Sequence, residues 1–390
     1  MRVTVRRSLG IGVAGFGWMG RVHTQAYTRV LAHFPQLALA PQLVTVADEV
    51  PGRAEEAADQ FGFADGVRDW HALAEDPRVE AVSITAPNFL HRDIGVAMAQ
   101  AGKHIWIEKP VGLTVDDARA VAAAAADTGV QVTVGFNYRN APAVVAARDL
   151  IDSGDLGAIT HARFRLFSDY AAHPAGALSW RFERARGGSG VLSDLASHGV
   201  DLAWYLLGDI DALVADTAIF LPQRARPTGA TSGHSLAEGG ELGEVENEDY
   251  LGALLRFTSG ARCTLEASRV AVGEQNNYGF EIHGTKGAVF WDFRRLGELG
   301  VSVGGAYQDQ AITTRYVGPG AGQFGAFQPG SAIAMGYDDL KVIEVYDFLR
   351  SIDEGTPHGA TVRDAVRAAA TLDAMGESAR TGAWVTPGTD

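Results

Sequence analysis

With 390 residues, of which 46% are hydrophobic and 21% charged, the chain has the makeup of a soluble globular protein of two domains. A net charge of −14 argues against nucleic acid or an anionic membrane surface as a partner. The single cysteine, Cys263, excludes an intrachain disulfide and suits a reducing compartment. No apolar run reaches the ~20 residues that span a bilayer.

Arg6-Arg7 followed by an apolar run imitates the start of a twin-arginine export signal. That run leads straight into a glycine turn without a small-residue cleavage site, so this end reads as a basic lead into the first strand. The expected location is therefore cytoplasmic. Next, Ile11 to Ala14 breaks into the G-x-G-x-x-G of Gly15, Gly17 and Gly20, and a helical pattern begins at once. Met19, Val22, Ala26, Val30 and Phe34 recur at three- and four-residue steps. Strand, glycine turn and helix N-terminus in that order make a pyrophosphate site. Gly15 serves the tight turn, Gly17 the approach of phosphate to backbone, and Gly20 the close packing of helix on strand. The alternative is a purely structural βα turn.

After a connection from Pro35 to Pro41, the run Leu43 to Ala47 reads as a second strand ending at Asp48. An acidic residue there accepts from the adenosine ribose hydroxyls and repels the extra phosphate of NADP, which favours NAD. A helix is expected over Arg53–Phe61, and strands over Ala81–Thr85, His104–Ile107 and Val130–Phe136. Thr114 with Asp117 forms a capping box for an alanine-rich helix that Gly129 stops. Strands alternating with helices imply a parallel sheet with ligands at the C-terminal strand ends, where Asn88, Lys109 and Asn137 all fall. A partly desolvated Lys109 could pass protons or hold a substrate oxygen; equally, it could be a surface lysine paired with Glu108.

From about Asn140 the pattern changes to a helix and then strands at Ile159–Phe167, Asp249–Phe257, Ala261–Arg269, Tyr278–Gly284 and Ala288–Phe293. Their short turns suit an open, mostly antiparallel sheet in an α+β domain. Pro222–Glu246 and Gly318–Gly330 are expected as long loops, the second a candidate cover for a site, and helices over 338–354 and 361–380 end the pattern. The division expected is a Rossmann domain over 1–138 and an α+β domain over 139–390. Ser193 suits an N-cap for a helix to Leu207, which would stack Asp194 and His198 on one face. That pair can serve as a general base with its orienting carboxylate, or simply satisfy itself locally. Trp180-Arg181-Phe182 could line a sugar pocket or pack. No H-E-x-x-H or C-x-x-C spacing is present, so no metal site is expected.

Taken together, the sequence resembles the glucose–fructose oxidoreductase/inositol dehydrogenase/rhizopine-catabolism (Gfo/Idh/MocA) family. The carrying motifs are Gly15–Gly20, Asp48, Thr85-Ala86-Pro87-Asn88 with His91, and Glu108-Lys109-Pro110. Gly135-Phe136-Asn137-Tyr138-Arg139, Gly187–Gly190 leading to Asp194 and His198, and Gly284-Thr285-Lys286-Gly287 complete the set. The resemblance implies NAD bound by Gly15, Phe16, Gly17, Trp18, Met19, Gly20, Asp48, Ala86, Asn88, His91, Glu108, Lys109 and Asn137. It implies Lys109, Asp194 and His198 as the catalytic set, with Arg139, Trp180 and Arg181 joining them at the substrate and a cis Lys109–Pro110 peptide. The implied reaction is reversible oxidation of a secondary hydroxyl of a sugar or cyclitol to a ketone, in a homodimer or homotetramer. The Pro35–Pro41 insertion and the two loops look nearer the sugar-oxidising branch, which includes levoglucosan dehydrogenase-like enzymes. Three alternatives stay open: another substrate within the family, as for a nucleotide-sugar 3-dehydrogenase or an aldose–ketose oxidoreductase that keeps its cofactor; a non-catalytic NAD-sensing protein; and a hydrolase that uses its enclosed NAD transiently.

Overall fold

The computed structural model describes residues 6–227, 236–237 and 239–388. They form two compact units, which divide the described residues into those of 6–140 with 336–366 and those of 141–335 with 367–388. None of the helices among the described residues is long and apolar enough to cross a membrane.

The first unit alternates strand and helix: β1 (Arg7–Ala14), α1 (Trp18–His33), β2 (Leu39–Ala47), α2 (Arg53–Phe61), β3 (Asp65–Val67), α3 (His71–Glu75), β4 (Ala81–Ile84), α4 (Asn88–Gln100), β5 (His104–Ile107), α5 (Val115–Thr128) and β6 (Val132–Val134). The strands pair in parallel in the order β3-β2-β1-β4-β5-β6, the Rossmann arrangement the alternation implied. Residues Leu9–Ala14 and Ala81–Ile84 are buried throughout, as strands covered on both faces must be. The order reverses at β1, and such a switch point is where open parallel sheets take ligands.

Two expectations need correction here. β2 begins at Leu39 rather than Leu43, so the insertion is partly strand. Pro41 is tolerated because β3 pairs only with Thr45–Ala47, leaving β2 an edge strand at that point. β3 was not anticipated: three residues without an apolar run carry no signal, and tertiary pairing alone makes them a strand. Gly66 is needed there, since a Cβ would fall 2.6 Å from the Ala54 carbonyl oxygen. By contrast, the Thr114–Asp117 capping box and the left-handed Gly129 (φ 73°) stand where expected.

The second unit opens with α6 (Pro142–Asp152) and β7 (Ile159–Phe167). It continues through α7 (Arg184–Gly187), α8 (Ser197–Leu207), β8 (Ile210–Ala218), β9 (Gln223–Ala225) and β10 (Leu242–Glu244). Then follow β11 (Tyr250–Phe257), β12 (Arg262–Ser268), β13 (Asn277–Gly284), β14 (Gly287–Asp292), β15 (Glu298–Val303) and β16 (Thr313–Tyr316). Eight strands pair in the order β16-β15-β14-β13-β7-β12-β11-β8. All neighbours are antiparallel except β7 and β12, which no short turn connects. Burial alternates along β11 and β12, so one face builds a core and the other is open. The expected loop Pro222–Glu246 instead contains the antiparallel pair β9–β10, and part of it lies outside the described residues. Along the second expected loop, Phe324 is buried and Gly322 lies against Val145 of α6.

The last helices divide between the units. α9 (Tyr337–Glu354) belongs to the first, where Tyr346 stacks on Phe34 with ring centroids 3.9 Å apart. Most of α10 (Val362–Thr381) belongs to the second, where Thr371 accepts from the Trp204 indole and Ser378 from the Ala215 amide.

Candidate active site

The glycine turn closes β1. Gly15 has φ 88° and bonds its amide to the Ala47 carbonyl, and a Cβ on it would lie 2.6 Å from the Ala86 backbone. Only glycine combines that dihedral with that approach. Thr85 donates its hydroxyl to the Gly15 carbonyl at 2.5 Å, tying the turn to the end of β4. Gly17 is different: a Cβ there meets nothing within 4 Å. Its lack of a side chain serves no internal contact, and it leaves the start of α1 open to a phosphate.

Asp48, buried at the end of β2, accepts from the Phe16 amide at 2.7 Å and the Val50 amide at 2.9 Å, with Arg53 at 3.4 Å. A carboxylate has about four acceptor positions, and the single Arg53 N–H spans both oxygens only at 3.4 Å, so a ribose hydroxyl can take that place. Phe16 is buried edge-on to Phe61 and Phe63, whereas Trp18 is exposed and stacks on Tyr337. Met19 receives the Tyr337 hydroxyl on its sulfur at 3.7 Å. Asn88 starts α4, and the buried His91 bridges the carbonyls of Ala86 and Pro110 at 2.7 Å each. Burial lowers the His91 pKa, against the pull of those carbonyls and of Glu108. Asn137 is fully buried, and neither polar atom of its amide has a hydrogen-bond partner among the described residues. Such an orphan calls for an outside partner. The open Gly17, the acceptor place on Asp48 and the amide of Asn137 fit a dinucleotide.

Lys109 is half-buried just past β5, and its peptide bond to Pro110 is cis. Before it, Glu108 is buried in a cluster of ionisable groups that sequence reading did not foresee. Its Oε1 faces His23 Nε2 at 2.8 Å and Lys341 Nζ at 2.5 Å. The same ammonium reaches Glu344 Oε2 at 2.8 Å, which also accepts from the Trp106 indole. His23, Glu108 and Glu344 have ligand atoms within 4.8 Å of one another, as a metal site would, but the Lys341 ammonium sits against both carboxylates. Burial lowers the His23 pKa to about 4, so the ring is neutral. An ionised Glu108 only accepts, which places the proton on Nε2 and leaves Nδ1 to accept from Ser83. Arg139, on the 3-10 turn Asn137–Asn140, pairs with Asp364 at 3.3 Å.

In the second unit the segment around Asp194 departs from expectation. Leu192–Ala196 is a π-helical turn leading into α8, and Ser193 is not an N-cap: its hydroxyl donates back to the Ser189 carbonyl. The turn takes in one residue more than an α-helical turn would just ahead of His198. Single π turns recur at functional sites. Asp194 accepts from the Tyr170 hydroxyl at 2.5 Å. Burial, and then the Asp194 charge, hold that phenol well above its ordinary pKa, so Tyr170 stays a donor. His198 is buried on α8.

A platform missed from sequence supports this turn. Glu248 accepts the Val191 amide on its carbonyl and the Leu192 amide on its carboxylate. Asn247 donates to the carbonyls of Arg181 and Gly188, and Arg269 grips both Asn247 and the buried Asp249. The only advance signal was the polar triplet Asn247-Glu248-Asp249 closing a loop. Within Trp180-Arg181-Phe182, Phe182 packs in a buried cluster with Ala171, Leu178 and Val245, while the Arg181 guanidinium lies over Trp180 at 4.6 Å.

Two tests follow from this geometry. Gly17→Ala should leave the urea midpoint unchanged but weaken NADH binding by about tenfold or more, since the methyl enters only the ligand's space. Gly15→Ala should instead cost about 1–3 kcal/mol through its positive φ alone. Separately, burial pushes the Glu344 carboxyl from 4.5 up to about 7. A raised carboxyl pKa contributes stability that is complete below the unfolded value and lost as pH rises through the folded one. Urea titrations across about pH 5 to 8 should therefore show Glu344→Gln gaining on the parent as pH rises. A constant difference between the two would contradict it.

The oxidoreductase family with NAD-binding Rossmann fold matches residues 9–136, and the GFO/IDH/MocA C-terminal domain matches 144–290. Levoglucosan dehydrogenase of Pseudarthrobacter phenanthrenivorans is 36% identical over 97% of this chain and 98% of its own length. Inositol 2-dehydrogenase of Rhizobium meliloti is 29% identical over 88% and 96%. A solved structure of levoglucosan dehydrogenase in complex with NADH and levoglucosan superposes with a TM-score of 0.92 at 34% identity, covering 98% of this chain and all of that one. The chain is thus a member of the GFO/IDH/MocA family of NAD-binding oxidoreductases.

Proposed function

We propose that the protein oxidises a secondary hydroxyl of a sugar or cyclitol reversibly to a ketone with NAD, and that an anhydrosugar of the levoglucosan type is its substrate. The observation carrying this is the likeness to levoglucosan dehydrogenase along nearly the whole of both chains. Bound NAD supplies the hydride acceptor. Gly15–Gly20 hold its pyrophosphate and Asp48 its adenosine ribose, while Asn88, His91 and Asn137 line the strand ends toward the nicotinamide.

In this reading His198 takes the hydroxyl proton and Asp194 supports the resulting imidazolium. The phenol of Tyr170 fixes the Asp194 carboxylate. Lys109 holds the reacting oxygen and stabilises its developing negative charge. Arg139, Trp180 and Arg181 take the remaining hydroxyls, whose individual pairing sets specificity. The work divides between a cofactor-binding part over 1–138 and a substrate-binding, self-associating part over 139–390. A cytoplasmic homodimer or homotetramer suits the single buried cysteine and the sheet face left open in the second unit.

NADH formation with anhydrosugars, inositols, aldoses and glycosides tests the substrate class; levoglucosan should lead, and an inositol well ahead of it would move the assignment to the cyclitols. Lys109→Ala should lower kcat by about 10²–10⁴-fold while leaving the NADH Kd nearly unchanged. Comparable losses in both would remove its part in the chemistry. Asp48→Ala should lower kcat/KM for NAD by about 10–100-fold and bring NADP closer to it.

A further inference from the structure

Four ionisable side chains from three elements meet in the core of the first unit: His23 of α1, Glu108 at the end of β5, and Lys341 and Glu344 of α9. Lys341 is fully buried and carries the only ammonium in the group. We propose that Lys341 is a positioning residue for Lys109, acting through Glu108 to hold the end of β5 in the arrangement that presents Lys109. This rests on the assignment of Lys109 to the reaction.

Stability alone does not account for such a cluster, because a buried ion pair is commonly no better than well-packed apolar residues of the same volume. Its placement is more telling. Glu108 directly precedes Lys109, at a C-terminal strand end where this fold takes its ligands. The neighbouring strand makes room for it: a Cβ on Gly135 would lie 2.6 Å from the Glu108 carboxylate. Meanwhile the Gly135 amide bonds the Ile107 carbonyl, so the two strand ends stay paired around the charge.

The charges balance on one arrangement. Glu108 is held ionised, and its pKa is driven down by the Lys341 charge and the His23 hydrogen bond against the cost of burial. Lys341 is held protonated by the two carboxylates. Glu344 Oε1 has no hydrogen-bond partner among the described residues, and burial raises this carboxyl's pKa against the Lys341 charge. His23 is neutral, and the buried Tyr27 donates through Ser83 toward it. Removing the ammonium leaves a carboxylate next to Lys109 with no counter-ion and only the neutral His23 as donor, and the segment must move or take up a proton.

The test uses the full chain with Lys341→Met and, should that variant not fold, Glu108→Gln/Lys341→Met, which removes both charges. Three quantities are read: kcat on the best sugar, NADH affinity by fluorescence, and the pH dependence of Lys109 acylation by an amine-reactive reagent, followed by peptide mass spectrometry. A kcat lowered about 10–100-fold and a displaced Lys109 acylation curve are expected, with NADH affinity within about threefold of the parent in Lys341→Met, which leaves Glu108 in place. An unchanged acylation curve overturns the proposal, and so does full recovery of kcat in the double variant. The acylation curve reads the surroundings of Lys109 whether or not Lys109→Ala abolishes turnover. Failure of the positioning role is thereby separate from failure of the catalytic assignment.

Discussion

A carboxylate buried in the first unit finds its counter-ion 233 residues along the chain. Glu108 is placed by β5, but the ammonium that neutralises it belongs to α9, which the chain reaches only after residues 141–335 of the second unit. An uncompensated charge in such a site would cost several kcal/mol, so the parallel sheet is electrostatically complete only with α9 in place. The units are therefore discontinuous in sequence. The neighbouring contacts serve the same joint: Phe34 stacks on Tyr346, Trp18 on Tyr337, and Arg29 pairs with Asp339.

In each unit, backbone and side chains divide the work differently. The dinucleotide turn is a matter of backbone shape, with two glycines that have opposite reasons for lacking a side chain. Gly15 has no room for one, and Gly17 has room that a ligand needs. Around Asp194 the reverse holds. A π turn sets the facing of the carboxylate, and a lattice of buried polar side chains from a distant loop keeps that turn in place. Asp249 and Arg269 are almost wholly buried yet hydrogen-bonded, the condition under which buried polar groups rigidify a site.

Much of the fold could be read in advance because its signals are local. Apolar runs bounded by glycine or proline marked five of the six parallel strands, and the capping box at Thr114 marked the start of α5. What escaped had no local signal: β3 is three residues held by pairing with β2, and Pro41 joins β2 because β3 does not reach it, so only its β1 side is paired. Ser193 misled for a related reason. A serine ahead of a helix has N-cap chemistry, but here its hydroxyl had a nearer acceptor in the Ser189 carbonyl.

The sequence by itself determined the order of elements, the glycine turn with Asp48, the family, and the polar residues available for chemistry. These depend on residue type and short spacing, which the linear chain states directly. Only the tertiary structure decided which distant residues complete them: Tyr170 on Asp194, Asn247 and Glu248 beneath the π turn, Lys341 on Glu108. Those pairings join residues 24 to 233 positions apart, and each forms because a buried charge or polar group must find a partner wherever folding brings one.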